Sequence, residues 1–432
     1  MTEAVKKIGN YRWTICALIF FATTINYLDR QVIGILKPLL ESDLDIGEKA
    51  YSHIVMAFQF CYAFGMLLTG RFIDKWGTKI GYGIAVVVWS LAAMGHALAK
   101  GALGFGFWRS LLGLGESANF PAANKGVAEW FPKKERALAF SILNSGTNVG
   151  AIVAPLAVPA ITEAWGWQAA FILTGAIGFI WIIFWFWIYE VPEKKKNLSK
   201  TEYDYIHSDM EEQNESKENI PWIKLLKYRQ TWLFFIGKAM TDPIWWFYLF
   251  WIPGWLAEVR GTGLNVKSFG LPLAFIYTST TVGSIFGGWL SSYMIKKGMS
   301  PFRARSIAML IFAILVTPIA FASSPSISTW GAVCLIALAA SSHQAWSANI
   351  FTTVSDAFPK RAVSSVTGIG GMAGALGGLG VSYFAGFILD FYKKAGHVET
   401  GYVIMFAIAA SAYILAWLIM NIFAPKNKKV VI

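Results

Sequence analysis

Residues 13–37 read WTICALIFFATTINYLDRQVIGILK. At a helical rise of about 1.5 Å per residue, such a run is long enough to cross the ~30 Å hydrocarbon core of a bilayer. It nevertheless carries Asn26, Asp29 and Arg30 inside its apolar length. Ionisable groups at that depth are disfavoured by roughly 2.5–3.5 kcal/mol each on insertion scales, so those that occur usually face a cavity and serve function. The run also lacks the small-residue cleavage pattern of a secretory signal, and it reads as a retained first span with polar residues in it.

The pattern repeats along the 432 residues, which are 56% hydrophobic and only 14% charged, with a mean hydropathy of +0.50. Ordinary soluble domains are about a quarter charged, so most of this chain belongs in lipid. Apolar stretches at roughly 12–37, 50–73, 79–99, 101–128, 136–160 and 167–190 predict six spans, and those at 228–258, 268–295, 303–323, 327–357, 362–391 and 399–423 predict six more. The expected fold is an all-α membrane protein with twelve transmembrane helices in two pseudo-symmetric bundles: residues 1–190 and 228–432, each of six helices, joined by a cytoplasmic linker at 191–227. Trp130-Phe131-Pro132-Lys133 ends the fourth span and Ala357-Phe358-Pro359-Lys360 the tenth, a weak internal repeat of the kind found in secondary transporters.

Composition narrows the function classes. The net charge of +12 is gathered in short clusters, at Lys75 and Lys79, Lys133, Lys134 and Arg136, Lys194 to Lys196, Lys296, Lys297, Arg303 and Arg305, and Lys360 and Arg361. Basic loops of this kind set orientation and predict that they and both termini are cytoplasmic, which leaves no nucleic-acid surface. The acidic loop with Glu41, Asp43, Asp45 and Glu48 suits the outer face. Twenty Trp, sixteen Tyr and thirty-two Phe fit interfacial and interhelical packing, and forty Gly fit close helix contact. Cys16, Cys61 and Cys334 lie apart in apolar runs and suggest neither a disulfide framework nor a metal site. No nucleophile–base grouping, metal cluster or nucleotide loop is visible, so an enzyme is not expected, and no cofactor. A non-coupled channel or receptor is the alternative of another class.

Arg109 and Glu116 lie seven apart on the fourth span, nearly on one helix face. With Asp29 and Arg30 they can form a cluster without net charge in a wet pocket. A guanidinium matches both oxygens of a carboxylate, so Arg30 and Arg109 are candidate receptors for an organic anion. A carboxyl beside them titrates with the cargo: loss of water disfavours its charged form, an arginine favours it, and a bound anion weakens that favour. The alternative is structural, with Arg109 and Glu116, or Asp29 and an arginine, simply neutralising each other. Tyr62, Asn144, Thr147, Asn148, His343, Gln344 and Asn349 offer polar groups at membrane depth for sugar hydroxyls or for interhelical bonds. On the seventh span Lys238 and Asp242 are four apart and can pair, Pro243 weakens the helix, and Trp246 or Tyr248 can stack on a sugar face.

Gly70-Arg71-Phe72-Ile73-Asp74-Lys75-Trp76-Gly77-Thr78-Lys79 resembles the signature loop of the major facilitator superfamily, and Asn26-Tyr27-Leu28-Asp29-Arg30 with Arg109-Ser110-Leu111-Leu112-Gly113-Leu114-Gly115-Glu116 and Pro121 resembles its anion:cation symporter branch. Thr241-Asp242-Pro243-Ile244-Trp245-Trp246 followed by Phe250-Trp251-Ile252-Pro253 is similar to hexuronate transporters. The resemblance implies the major facilitator fold, with Asp74, Lys75 and Gly77 in a gating latch. It implies Arg30 on the substrate carboxylate, Tyr62 near the substrate, Arg109 as a charge partner, and Asp29 and Glu116 as protonation sites. Aldonate-moving relatives place an amide in span eleven where this chain has Gly371. The expected activity is import of a hexuronate such as glucuronate or galacturonate by proton symport through a bacterial inner membrane. The proton gradient supplies the energy, and the chain is taken as a monomer. The alternative is another organic anion such as an aldonate, coupled to protons or sodium.

Overall fold

The structure is a computed structural model that describes residues 9–208, 222–262, 266–358 and 360–423. Residues 1–8 and 424–432, on which the location of the termini rests, lie outside the described residues, as do 209–221 of the linker and the side chains of Asp74 and Asn144. Among the described residues every regular element is helical. The helices are α1 (Tyr11–Leu44), α2 (Glu48–Gly95), α3 (Ala102–Glu116), α4 (Asn119–Trp130), α5 (Lys133–Trp165), α6 (Trp167–Ile188), the short α7 (Lys200–Ile206) and α8 (Trp222–Leu225), then α9 (Arg229–Glu258), α10 (Leu271–Lys296), α11 (Pro301–Val316), α12 (Thr329–Ala357), α13 (Lys360–Lys394) and α14 (Val398–Phe423). Helix is the element expected in lipid, where each backbone polar group must find a partner inside its own segment. Among the described residues, seven segments are long and apolar enough to cross a membrane by length and composition, from Lys75–Leu98 to Val398–Phe423.

Two boundaries differ from the sequence expectation. The predicted second and third spans are joined in α2, whose 48 residues would reach about 72 Å if straight, more than twice the hydrocarbon thickness. The helix turns at Gly77, where φ 77° and ψ 159° suit a residue without a Cβ. The turn is clasped by Thr78 Oγ1 donating to Glu129 (2.9 Å) and Lys79 Nζ to Glu190 (2.9 Å). That lysine hydrogen bond holds the Glu190 carboxyl below its ordinary range. Lys75 beside the turn is exposed. The predicted fourth span is interrupted at Ser117–Ala118, between α3 and α4. Pro121 has no N–H to continue the ladder back to Ser117, and the Ser117 carbonyl accepts from Thr69 instead (3.4 Å).

The helices before the linker pack mainly on one another, α1 against α5 and α2 against α3 and α6, and those after it likewise, α10 against α12 and α13 against α9. Contacts between the two sets run through α2 with α13, α1 with α9 and α5 with α10. Arg12, at the start of α1, bonds Glu135 and the linker residue Glu202, which marks the linker face. At the opposite face Tyr51 Oη donates to the Phe250 carbonyl (2.9 Å), and Lys37 is shared by Glu48 and by Glu258 (2.9 Å), while Lys393 reaches Glu41 (2.6 Å) and Glu258 (3.3 Å). The carboxylates of Glu41, Glu48 and Glu258 lie within 4.8 Å of one another, so the two ammonium groups are what allows them to share one site. Lys37→Ala strands the fully buried Glu48 carboxylate and is expected to destabilise by about 3–5 kcal/mol, the range for breaking one side of a buried pair. Melting in detergent would show a clearly lowered midpoint, restored in part by adding Glu48→Gln.

Candidate substrate and coupling site

Arg30 sits where α1 passes α3; its Nε donates to Glu116 Oε2 at 2.9 Å, and its Nη2 forms an ion pair with the same oxygen at 2.8 Å. Nη2 also reaches Asn26 Oδ1 at 3.3 Å, one turn earlier on α1, whereas Nη1 is engaged by no described residue. Four rings surround the guanidinium: Tyr27 at 4.6 Å, Tyr62 at 4.8 Å, Phe58 at 5.1 Å and Trp246 at 5.7 Å. Phe58 and Tyr62 are stacked at 5.6 Å because residues four apart on a helix lie one above the other. A cation over several aromatic faces is attracted by each ring's quadrupole, which partly replaces lost water.

Arg109 is fully buried beneath Phe58 (5.0 Å) and Phe250 (5.8 Å). Its Nη2 donates to the Arg30 backbone carbonyl at 2.8 Å, while Nε and Nη1 have no partner among the described residues. It holds the backbone that presents Arg30. The close approach of α3 to α2 depends on Gly113, where a Cβ would lie 2.4 Å from the Phe58 carbonyl oxygen. Asp29 lies beside Thr174 of α6 and within electrostatic reach of Glu116 and Arg109, with no ion-pair partner among the described residues.

The four charged residues expected to meet do lie together, with a different pairing. The buried ion pair is Arg30–Glu116, not Arg109–Glu116 or an arginine with Asp29. Two turns separate Arg109 from Glu116 by roughly 10 Å of rise, too far for a direct pair along one helix. The expectation of a wet pocket also needs correcting. Asp29, Arg30, Arg109 and Glu116 are all at most 3% exposed, and rings from α2 and α9 close over the two guanidinium groups.

Of the other predicted contacts, Tyr62 and Trp246 stand at Arg30. Asn349 does not: its amide donates to the carbonyls of Gly287 and Ala345 (both 2.9 Å), which joins α12 to α10. His343 is likewise engaged, with Tyr413 Oη at 2.6 Å and its ring stacked on Trp245. Thr147 and Asn148 are half-buried on α5, between Gly146 and Gly150, which pack on the backbone of α1 at Phe20 and Thr24. Tyr27 and Phe58 were not singled out from sequence as contacts, although helical spacing from Arg30 and Tyr62 pointed to them. Gln59, whose Oε1 accepts from Ser382 of α13 at 2.9 Å, was also missed, and no local signal marks a pairing across 323 residues.

Comparison with known proteins agrees with this architecture. The profile of the Major Facilitator Superfamily matches residues 19–382. The chain is 31% identical over 377 residues to the hexuronate transporter of Escherichia coli K12, covering 85% of each chain. It is 33% identical over 287 residues to the galacturonate transporter of Dickeya chrysanthemi, covering 66% of this chain and 82% of that protein. Among solved structures, a bacterial homologue of the human lysosomal transporter Spinster superposes with a TM-score of 0.75 at 16% identity, covering 96% of this chain and 97% of that one. A D-xylose–proton symporter superposes with the same TM-score of 0.75 at 15% identity, covering 98% and 100%. The family and the relatives indicate a multi-pass membrane transporter rather than an enzyme. A charged, ring-lined centre inside a wholly helical bundle and a profile match across most of its length agree: the chain belongs to the Major Facilitator Superfamily.

Proposed function

We propose that the chain is a secondary active transporter that imports a hexuronate, such as glucuronate or galacturonate, together with a proton. The observation that carries the reading is Arg30: a guanidinium at membrane depth, boxed by four rings, with one carboxylate partner and one nitrogen engaged by no described residue. A substrate carboxylate competes with Glu116 for that fork, and a sugar ring stacks against Tyr62 or Trp246. Glu116, deprived of its cation, takes a proton, so anion and proton binding favour each other. The names of the relatives support the substrate class, since they include transporters of hexuronate, galacturonate and D-galactonate.

In this reading the chain has twelve spans in two six-helix halves, residues 1–190 and 228–432, and works as a monomer in the bacterial inner membrane with both termini cytoplasmic. Gly77 and Lys75, at the turn of α2, and Asp74 form part of the latch on that side. The ties among Lys37, Glu48, Glu258 and Lys393 hold the face opposite the linker together, and they part when the ring-covered site opens to that side. Reciprocal opening of the two faces moves the cargo.

Uptake into proteoliposomes under an imposed inward proton gradient tests this directly. Radiolabelled galacturonate should accumulate above its outside concentration, and unlabelled glucuronate should compete. Equilibration without accumulation would favour a channel. Competition by an aldonate alone, or dependence on sodium, would reject the hexuronate and proton assignments respectively.

A further inference from the structure

The charged cluster at the face opposite the linker holds one carboxylate more than its cations can neutralise. Its members alternate in sign along a chain that crosses twice between the two sets of helices. Glu48 of α2 pairs with Lys37 of α1, Lys37 with Glu258 of α9 (2.9 Å), Glu258 with Lys393 of α13 (3.3 Å), and Lys393 with Glu41 of α1 (2.6 Å). One oxygen from each of the three carboxylates lies within 4.8 Å of the others, and they face two ammonium groups, so one negative charge is left over. Charged neighbours in sequence are engaged elsewhere: Asp390 of α13 pairs with Lys394 (2.8 Å), and Arg260, just after α9, donates to the carbonyls of Ala322, Ser324 and Ile327. No further ion pair joins the cluster among the described residues.

Two groups at the inner end of this chain are unfinished. The side chains of Lys37 and Glu48 have no exposure, and Glu48 Oε2 is bonded to no described residue. The Tyr402 hydroxyl of α14 is buried, also without a partner among the described residues, and lies within electrostatic reach of Glu48 and Glu258. It stands beside the ammonium: a Cβ at Gly254 would lie 3.1 Å from Lys37 Nζ and 3.2 Å from Tyr402 Oη. Tyr51, whose ring is 5.7 Å from Lys37 Nζ, already donates to the Phe250 carbonyl. A charged carboxylate only accepts, whereas a protonated one also donates, so a proton here supplies a donor for the orphaned hydroxyl. Burial holds the Glu48 carboxyl above its ordinary range, against the pull of Lys37. The other end of the chain is open to solution, since Glu41 and Lys393 are 24% and 32% exposed.

We propose that Lys37, Glu41, Glu48, Glu258 and Lys393 form a proton-operated lock: one proton from the adjoining solution, shared among the three carboxylates, neutralises the cluster and keeps this face closed. Carboxylates this close titrate as a group, so the proton belongs to the cluster rather than to one residue. When the helix sets part, the carboxylates regain water and their ordinary, weaker hold on protons. The closed form therefore binds the proton more tightly, and its population rises as pH falls and declines as pH rises. The cluster takes up and returns its proton on one side of the membrane, so it regulates opening and adds nothing to the coupling stoichiometry. Placing that side outside rests on the function proposed above. In that reading the acid exterior that drives import also closes the outer face behind the cargo.

The test measures the distance between nitroxide labels at Ser42 of α1 and Thr400 of α14, both exposed, by pulsed electron double resonance. It uses the full chain in lipid nanodiscs without cargo, with Cys16, Cys61 and Cys334 replaced by Ser. The ratio of short- to long-distance populations should rise about fivefold or more from about pH 8 to about pH 6, within the roughly tenfold per pH unit that one linked proton permits. Glu48→Gln and Glu41→Gln each remove the surplus charge at nearly equal volume, and each should hold the short distance at both pH values. A purely structural ion-pair network would instead loosen in both variants, which would overturn the lock. Glu116→Gln should keep the wild-type response. A response that survives in the Glu48 and Glu41 variants, disappears in Glu116→Gln, or is absent or reversed in the wild type also overturns it. The measurement needs no substrate, so a wild type that shows this response but takes up no sugar acid would overturn the proposed function and leave the lock standing.

Discussion

Arg30→Ala should abolish substrate binding, with affinity reduced by at least about 100-fold. Truncating one partner of a buried hydrogen-bonded charge pair typically removes 2–5 kcal/mol, and here the lost group is also the proposed receptor of the substrate carboxylate. The ring box of Tyr27, Phe58, Tyr62 and Trp246 supplies no replacement donor fork. Because the change strands Glu116, whose side chain is fully buried, the informative companion is Arg30→Lys. It keeps the charge near Glu116 but offers a point ammonium in place of the planar fork, and affinity should fall by about 10- to 100-fold while the protein stays monodisperse. Equilibrium binding of labelled galacturonate to purified protein reads both effects. Wild-type affinity in the lysine variant would show that the fork is not the receptor.

Glu116→Gln should separate the two halves of the transport cycle. Glutamine occupies the same volume and can still accept from Arg30 through its carbonyl, yet it neither binds nor releases a proton. Exchange of internal for external substrate should continue at a comparable rate, and accumulation driven by a proton gradient should be lost. Substrate binding in the variant should also lose its pH dependence. In the wild type, protonation removes the competitor for Arg30, so binding tightens as pH falls. The assignment to Glu116 fails if the glutamine variant still concentrates substrate, and Asp29, which has no hydrogen-bonding cation, is then the residue to exchange for Asn.

The helical fold was readable because lipid makes two demands at once: long apolar runs, and backbone groups paired within them. Those demands also made Asp29, Arg30, Arg109 and Glu116 conspicuous, since each is an exception to the apolar rule. Their pairing was not readable. Two turns of helix place Arg109 and Glu116 on one face but about 10 Å apart along it, and Arg30 arrives from α1, 86 residues earlier, to take Glu116 instead. Asn349 looked equivalent to any polar group at depth, until the approach of α10 placed the Gly287 carbonyl against it. The Lys37–Glu258 link spans 221 residues, and no local pattern announces it.

The sequence by itself determined that the chain is helical, that it lives in a membrane, and that a few charged side chains at membrane depth must serve a purpose, because hydrophobic length and the cost of burying charge are local properties of a segment. Only the tertiary structure decided which acid holds which arginine and which rings box Arg30. Those relations depend on the packing of helices distant in sequence, and at that scale a shift of an ångström or two makes or breaks an ion pair.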